Sequence, residues 1–175
     1  LSSSSAASDV YKRQVIALVG IIAGTGWPAL TGWNCKQEHR NDFESLNQLF
    51  EKARAEALNR SQTVLVRANR SLPADGATYT AYLLTNKTCT LSGSAQSLDP
   101  NIPRLVISDK SRLLGVANQC FNSDGTATAS NAIQLHQVQR DCGKGNQTLQ
   151  TLIFGATGLF EKKVKRPGDS SFSDL

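Results

Sequence analysis

What this sequence lacks is the grammar of catalysis. Its only histidines are His39 and His136, so imidazole-based acid–base chemistry has few places to sit. No Gly-x-Ser-x-Gly elbow is present. Gly143-Lys144-Gly145 lacks P-loop spacing and a following Ser/Thr-led helix. Asp124 and Asp141 are isolated carboxylates in expected turns, not a paired acid and base. His136 lies in the strand-like run IQLHQVQ, where a surface or pairing role is expected. The four cysteines, Cys35, Cys89, Cys120 and Cys142, have none of the close pairing that zinc sites show. Cys35 and His39 stand at i and i+4, yet no further ligand is visible beside them. These absences exclude the common enzyme classes. The expectation is a non-enzymatic protein with no catalytic residue, no metal and no cofactor.

Long apolar runs and charge are also scarce. Only 19% of residues are charged, and Thr, Ser, Asn and Gln supply most of the remaining polarity, which suits an exported β-rich domain. The formal net charge is +5 and the pI about 9.2, a balance that permits weak attraction to anionic partners but more often marks a solvated surface. No repeat of solenoid period is present. The longest apolar stretch is Val15–Leu30 (VIALVGIIAGTGWPAL), uncharged but short of the ~20 residues that span a bilayer. A buried core helix and a cleaved signal peptide are its alternatives. Trp27 and Pro28 directly after Gly24-Thr25-Gly26 argue against cleavage there, and Trp27 and Trp33 suit a membrane interface. Methionine is absent altogether. LSSSSAASDVYKRQ, residues 1–14, resembles translated adapter read-through. The alternative is a disordered tail rich in Ser and Ala.

Beyond the apolar stretch the pattern is helical. Phe43, Leu46, Leu49, Phe50, Ala53 and Ala57 recur at three- and four-residue steps and make one apolar stripe. Glu51, Lys52, Arg54 and Glu56 decorate the other face as exposed pairs. The grammar changes after Ser61. Residues 63–67, 78–84, 104–108, 113–116, 132–139 and 148–154 read as strands. Turn signals separate them: Pro73-Ala74-Asp75-Gly76, Ser123-Asp124-Gly125, Gly143-Lys144-Gly145 and Ala156-Thr157-Gly158. A long helix followed by antiparallel strands is an α+β fold, with the stripe packed on the sheet. The expected organisation is a tail over 1–14, an apolar half-helix over 15–34, an amphipathic half over 35–60, a β domain over 61–164 and a C-terminal tail over 165–175.

An apolar helix that continues into an amphipathic one resembles the type IV pilins. Gly20, Gly24 and Pro28 fall where pilin helices carry small residues and a softening proline. Leu49–Val66 (LFEKARAEALNRSQTVLV) is similar to the helix-to-strand junction of the GspH and FimT/FimU-type minor pilins, with its Ala-Arg-x-Glu-Ala core. Phe121–Thr126 (FNSDGT) resembles their central hairpin, and Leu152–Phe160 (LIFGATGLF) their closing strand. Two departures stand out: the prepilin cleavage motif is missing, and Gly158 is followed by Leu159 rather than by Gly-Arg-x-Arg grammar.

The resemblance implies a subunit that assembles into a type IV pilus or a type II secretion pseudopilus, at or near the tip. Its partners would be other pilins or pseudopilins, the bacterial inner membrane and, for the intact precursor, prepilin peptidase. The globular domain would lie in the periplasm. Val15, Ile16, Leu18, Val19, Ile21, Ile22 and Pro28 would form the membrane and assembly helix. The intact gene is expected to encode a basic leader and a peptidase site just upstream of Val15. Such a compartment permits disulfides. Cys120 and Cys142 flank the hairpin-like region and are the expected pair, Cys89 being the alternative partner of either, while Cys35 can stay unpaired. Lys162, Lys163, Lys165 and Arg166 form a basic cluster expected beyond the last strand, a candidate DNA contact. A solvated tail is the plainer reading of that cluster, and a secreted β-rich binding protein is the alternative for the whole chain.

Overall fold

The computed structural model describes residues 4–69, 78–84, 89, 96–97, 105–106, 111–115, 118–128, 133–143 and 145–175. The turn expected at Pro73-Ala74-Asp75-Gly76 lies outside them, as does Lys144. The chain divides into two compact units, Leu1–Gln37 and Glu38–Leu175. Helix α1, Ser4–Arg60, contributes to both and begins inside the segment read above as a tail. Among the described residues, no helix is long and apolar enough to cross a membrane.

The second unit is α+β. Its strands are β1 (Thr63–Asn69), β2 (Thr78–Leu84), β3 (Gln96–Ser97), β4 (Leu105–Val106), β5 (Arg112–Gly115), β6 (Asn118–Phe121), β7 (Ala127–Thr128), β8 (Ile133–Asp141), β9 (Asn146–Phe154), β10 (Phe160–Lys165) and β11 (Ser173–Asp174). They form two sheets. The first runs β3-β2-β1-β6-β7, with β4 also on β2, and the second runs β11-β10-β9-β8-β5. Every pairing between described strands is antiparallel.

α1 leaves its helical path where the sequence turns polar. Ser61 adopts a positive φ of 52°, and Gln62 N donates to Ala57 O, closing the last turn before β1. β1 then alternates. Val64, Val66 and Ala68 enter the main core, and Leu65 points to a second cluster with Leu84 and Cys120 on the opposite face. The main core gathers Phe43, Leu46, Leu49, Phe50, Ala53 and Ala57 from α1 with Val64, Val66, Ala81 and Phe121 from the first sheet. Val138, Leu149, Ile153 and Val164 join it from the second sheet. Phe50 stacks at a tilt against His136, ring centroids 4.7 Å apart, and lies 6.4 Å from Phe121.

Two expectations are corrected here. Cys120 pairs with Cys89, across the outer face of the first sheet, and not with Cys142. Cys35, which could have stayed unpaired, is disulfide-bonded, as is Cys142, and no cysteine is free. The other correction concerns the last strand. Lys162, Lys163 and Lys165 do not lie beyond it, because they belong to β10, which pairs along its length with β9.

Candidate functional site

Two regions are candidates for function. One is the apolar part of α1 in the first unit. Val15, Ile16, Leu18, Val19, Ile21 and Ile22 are exposed by 53–70% of their surface. Val10, Leu30 and Trp33 are exposed too. Single exposed apolar residues are ordinary on a protein surface; a run of them on one helix makes this stretch a candidate contact surface. Pro28 falls inside α1.

The other region is the seam where α1 meets the sheets, built from polar residues set among the core. Arg140 on β8 is 3% exposed. Its Nη2 donates to Glu38 Oε2, its Nη1 stands 4.0 Å from Asp42 Oδ2, and the Ser111 hydroxyl donates to Asp42 at 2.9 Å. Farther along α1, Thr151 Oγ1 donates to Asn47 Oδ1 at 2.6 Å while Asn47 Nδ2 donates to Phe43 O. Lys162 Nζ reaches Glu44 Oε2 at 2.7 Å. His136 and Gln119 are both buried, and their Nε2 and Oε1 atoms are 3.1 Å apart, so β6 and β8 are tied under the helix.

His39 is fully buried on the same helix. Burial first, and the Arg140 cation second, pull its pKa from 6.5 down to about 4, and a weaker interaction with the Gln147 backbone opposes them. Among the described residues neither ring nitrogen meets full hydrogen-bond geometry, so that Gln147 contact is a loose one. His39 is therefore a neutral core residue at neutral pH. It does not combine with Cys35 into a metal site, because that sulfur is held in a disulfide. Among the described residues, no cluster of metal-ligating side chains is present.

Arg54 was expected on the exposed face, and it is instead a junction. Its Nε donates to Gly125 O at 3.0 Å and its Nη2 to Thr157 O at 3.0 Å. One side chain thus ties α1 to the β6–β7 hairpin and to the turn after β9. Both turns rely on glycine. Gly125 has φ +80° under Leu58, and Gly158 has φ +63°, where a Cβ would collide with Gly125 O and the Arg54 side chain. A further strut, Ala127 N to Gly155 O at 2.9 Å, joins the same two turns. Glu56, by contrast, makes a helical i,i+4 pair, with Arg60 outside the expected set.

The sequence profile of the family described as type II transport protein GspH matches residues 42–160. The chain belongs to the GspH family. Its fold is similar to that of the type IV minor pilin FimU of Pseudomonas aeruginosa strain PAO1. In one crystal form (space group P21) the TM-score is 0.51 at 16% identity, over 79% of this chain and 94% of that one. In a second form (space group P65) the values are 0.45, 15%, 77% and 96%. No curated protein matches the chain.

The GspH match begins at Asp42 and ends at Phe160. It therefore covers the stripe of α1, the Arg54 junction and both glycine turns. The Ala-Arg-x-Glu-Ala core, the Asp-Gly hairpin and the Thr-Gly turn, read above as separate resemblances, meet at Arg54 in this GspH-family chain. The apolar run before residue 42 and most of β10 fall outside the match. The basic residues there do not form a free patch. Lys162 is paired with Glu44, Lys163 with Glu161, and Lys165 Nζ lies 5.9 Å from the centroid of the Phe172 ring. Arg166 is exposed, and its backbone N–H is held by Asp169.

Proposed function

We propose that this chain is a structural, non-enzymatic subunit of a type IV pilus or a type II secretion pseudopilus, held in the fibre core by the apolar part of α1. The observation that carries this reading is the change in burial along one helix. Val15–Ile22 presents its large apolar side chains to solvent, while Phe43, Leu46 and Phe50 of the same helix are fully buried. Exposed side chains of this kind each forgo about 1.5–3 kcal/mol of burial, so a bundle of similar helices is a far better environment for them than water. Membership of the GspH family and the FimU-like fold support the same reading. Before assembly the helix would rest in the inner membrane with the β domain in the periplasm. After assembly the subunit would sit at or near the fibre tip.

The test uses the full chain, co-expressed with the other pseudopilins of a GspH-containing secretion locus that lacks its own GspH. The wild-type chain should appear in the sheared fibre fraction. A variant carrying Ile16→Lys, Val19→Lys and Ile22→Lys should be lost from it while its domain melts at an unchanged temperature. If the triple variant enters the fibre as well as the wild type does, the assembly role of this stretch is wrong.

A further inference from the structure

The last strand of the second sheet is held in an unusual way. β11 meets β10 through only two ladder pairs, Lys163 with Asp174 and Val164 with Ser173. Two more bonds complete the contact: Leu175 N donates to Lys162 O at 3.3 Å, and Ser173 Oγ donates to Val164 O at 3.4 Å. All of these bonds use the β10 backbone. Between the two strands the chain makes a tight turn in which Asp169 N donates to Arg166 O and Arg166 N donates to Asp169 Oδ2, with Gly168 at φ +92°. Residues 166–171 are exposed, and Phe172 is the only half-buried residue after Lys165.

We infer that the β10 edge is an exchangeable docking site, and that the occupant it fits is the C-terminal strand of a second copy of this chain. The resident strand shows what chemistry fits the edge. A backbone ladder is indifferent to which molecule supplies the added strand, as in other cases of strand addition. The side chains add sign complementarity: β10 carries Lys162, Lys163 and Lys165, and the tail carries Asp169 and Asp174, with Asp174 directly across from Lys163. Exchange between two copies keeps the contacts between β10 and β11 and gives up only the bonds of the exposed turn, which makes swapping a low-cost route to association. A contact of two pairs with little apolar burial lies at the low-stability end of a fold, so the tail lifts without unfolding the domain. Crowding of copies at high local concentration favours the exchanged form. The inference stands on strand pairing and does not need the fibre reading.

Cysteine trapping in the full chain tests it, because no native thiol is free to compete. One preparation carries Lys163→Cys and another Asp174→Cys, and the two are mixed under mild oxidation. A single chain carrying both substitutions serves as the reference for a seated β11. The reference should close its internal disulfide. The mixture should give a heterodimer several-fold in excess of either same-site homodimer, growing with concentration and abolished when Ser173→Pro is added to the Asp174→Cys copy. A mixture in which the heterodimer never exceeds the homodimers, while the reference closes fully, would overturn the exchange. Failure of the reference to close would overturn the seating of β11 itself.

Discussion

The two sheets meet the same helix in different chemical languages. The first offers Val64, Val66, Ala68, Ala81 and Phe121, an almost wholly apolar inner face, and its outer face carries a second cluster fastened by Cys89–Cys120. The second mixes Val138, Leu149 and Ile153 with buried His136, Arg140 and Thr151. Each of those polar side chains has at least one polar partner: Arg140 bonds Glu38 and stands 4.0 Å from Asp42, Thr151 bonds Asn47, and His136 meets Gln119. Apolar packing is strong but indifferent to register. Buried polar partners are costly when misplaced, so they favour one position of the helix over its neighbours. The first sheet supplies adhesion and the second supplies alignment.

That division can be broken most severely on the apolar side. Leu49 is 7% exposed and sits in the main core. Leu49→Asp buries a carboxylate with no partner and should cost at least about 4 kcal/mol, a large share of the stability of an ordinary domain. Circular dichroism melting of the variant decides it, and an unchanged melting temperature would sink the packing scheme.

The next effect belongs to the polar side and depends on pH. Because the folded pKa of His39 is depressed from 6.5 to about 4, the unfolded chain holds a proton between those values that the folded chain refuses. Its contribution to stability is complete above pH 6.5, declines as pH falls toward 4, and changes no further below that. The span is at most about 3 kcal/mol. Urea titrations at several pH values should show the wild type losing stability over that window faster than His39→Leu, which cannot titrate. Parallel curves for the two proteins would show that His39 takes no part in the acid response.

The smallest effect measures alignment directly. Asn47 and Thr151 form one buried contact between α1 and β9. A double-mutant cycle with Asn47→Leu and Thr151→Val should give a coupling of about 1 kcal/mol, with the double variant less damaged than the sum of the single ones. Additive losses would mean that the pair does not discriminate positions of the helix.

Much of the fold is legible in the sequence because it rests on local periodicity. The stripe from Phe43 to Ala57 is a 3.6-residue pattern, and β1 and β2 are runs of β-branched, aromatic and alternating residues. β10 escapes such reading. FEKKVK looks like a solvated tail until β9 is beside it, when Lys162 is seen to face Glu44 on α1. β6 and β7 hide for a related reason, since strands of four and two residues carry too few side chains to show a period. The buried state of His136 is equally silent, because IQLHQVQ alternates the same way whichever face is turned inward.

The sequence by itself settles the long helix, the strand-rich remainder and the junction motif that places the chain among the GspH family, since each is written in residues close together along the chain. Only the tertiary structure decides that Cys120 takes Cys89, that Arg54 bridges two turns, and that Lys162 points inward. Those outcomes join residues 31, 71, 103 and 118 positions apart. Contacts at such separations are fixed by register and by which strands lie side by side; a strand's own pattern and turns constrain its register, but they do not name its non-sequential neighbours.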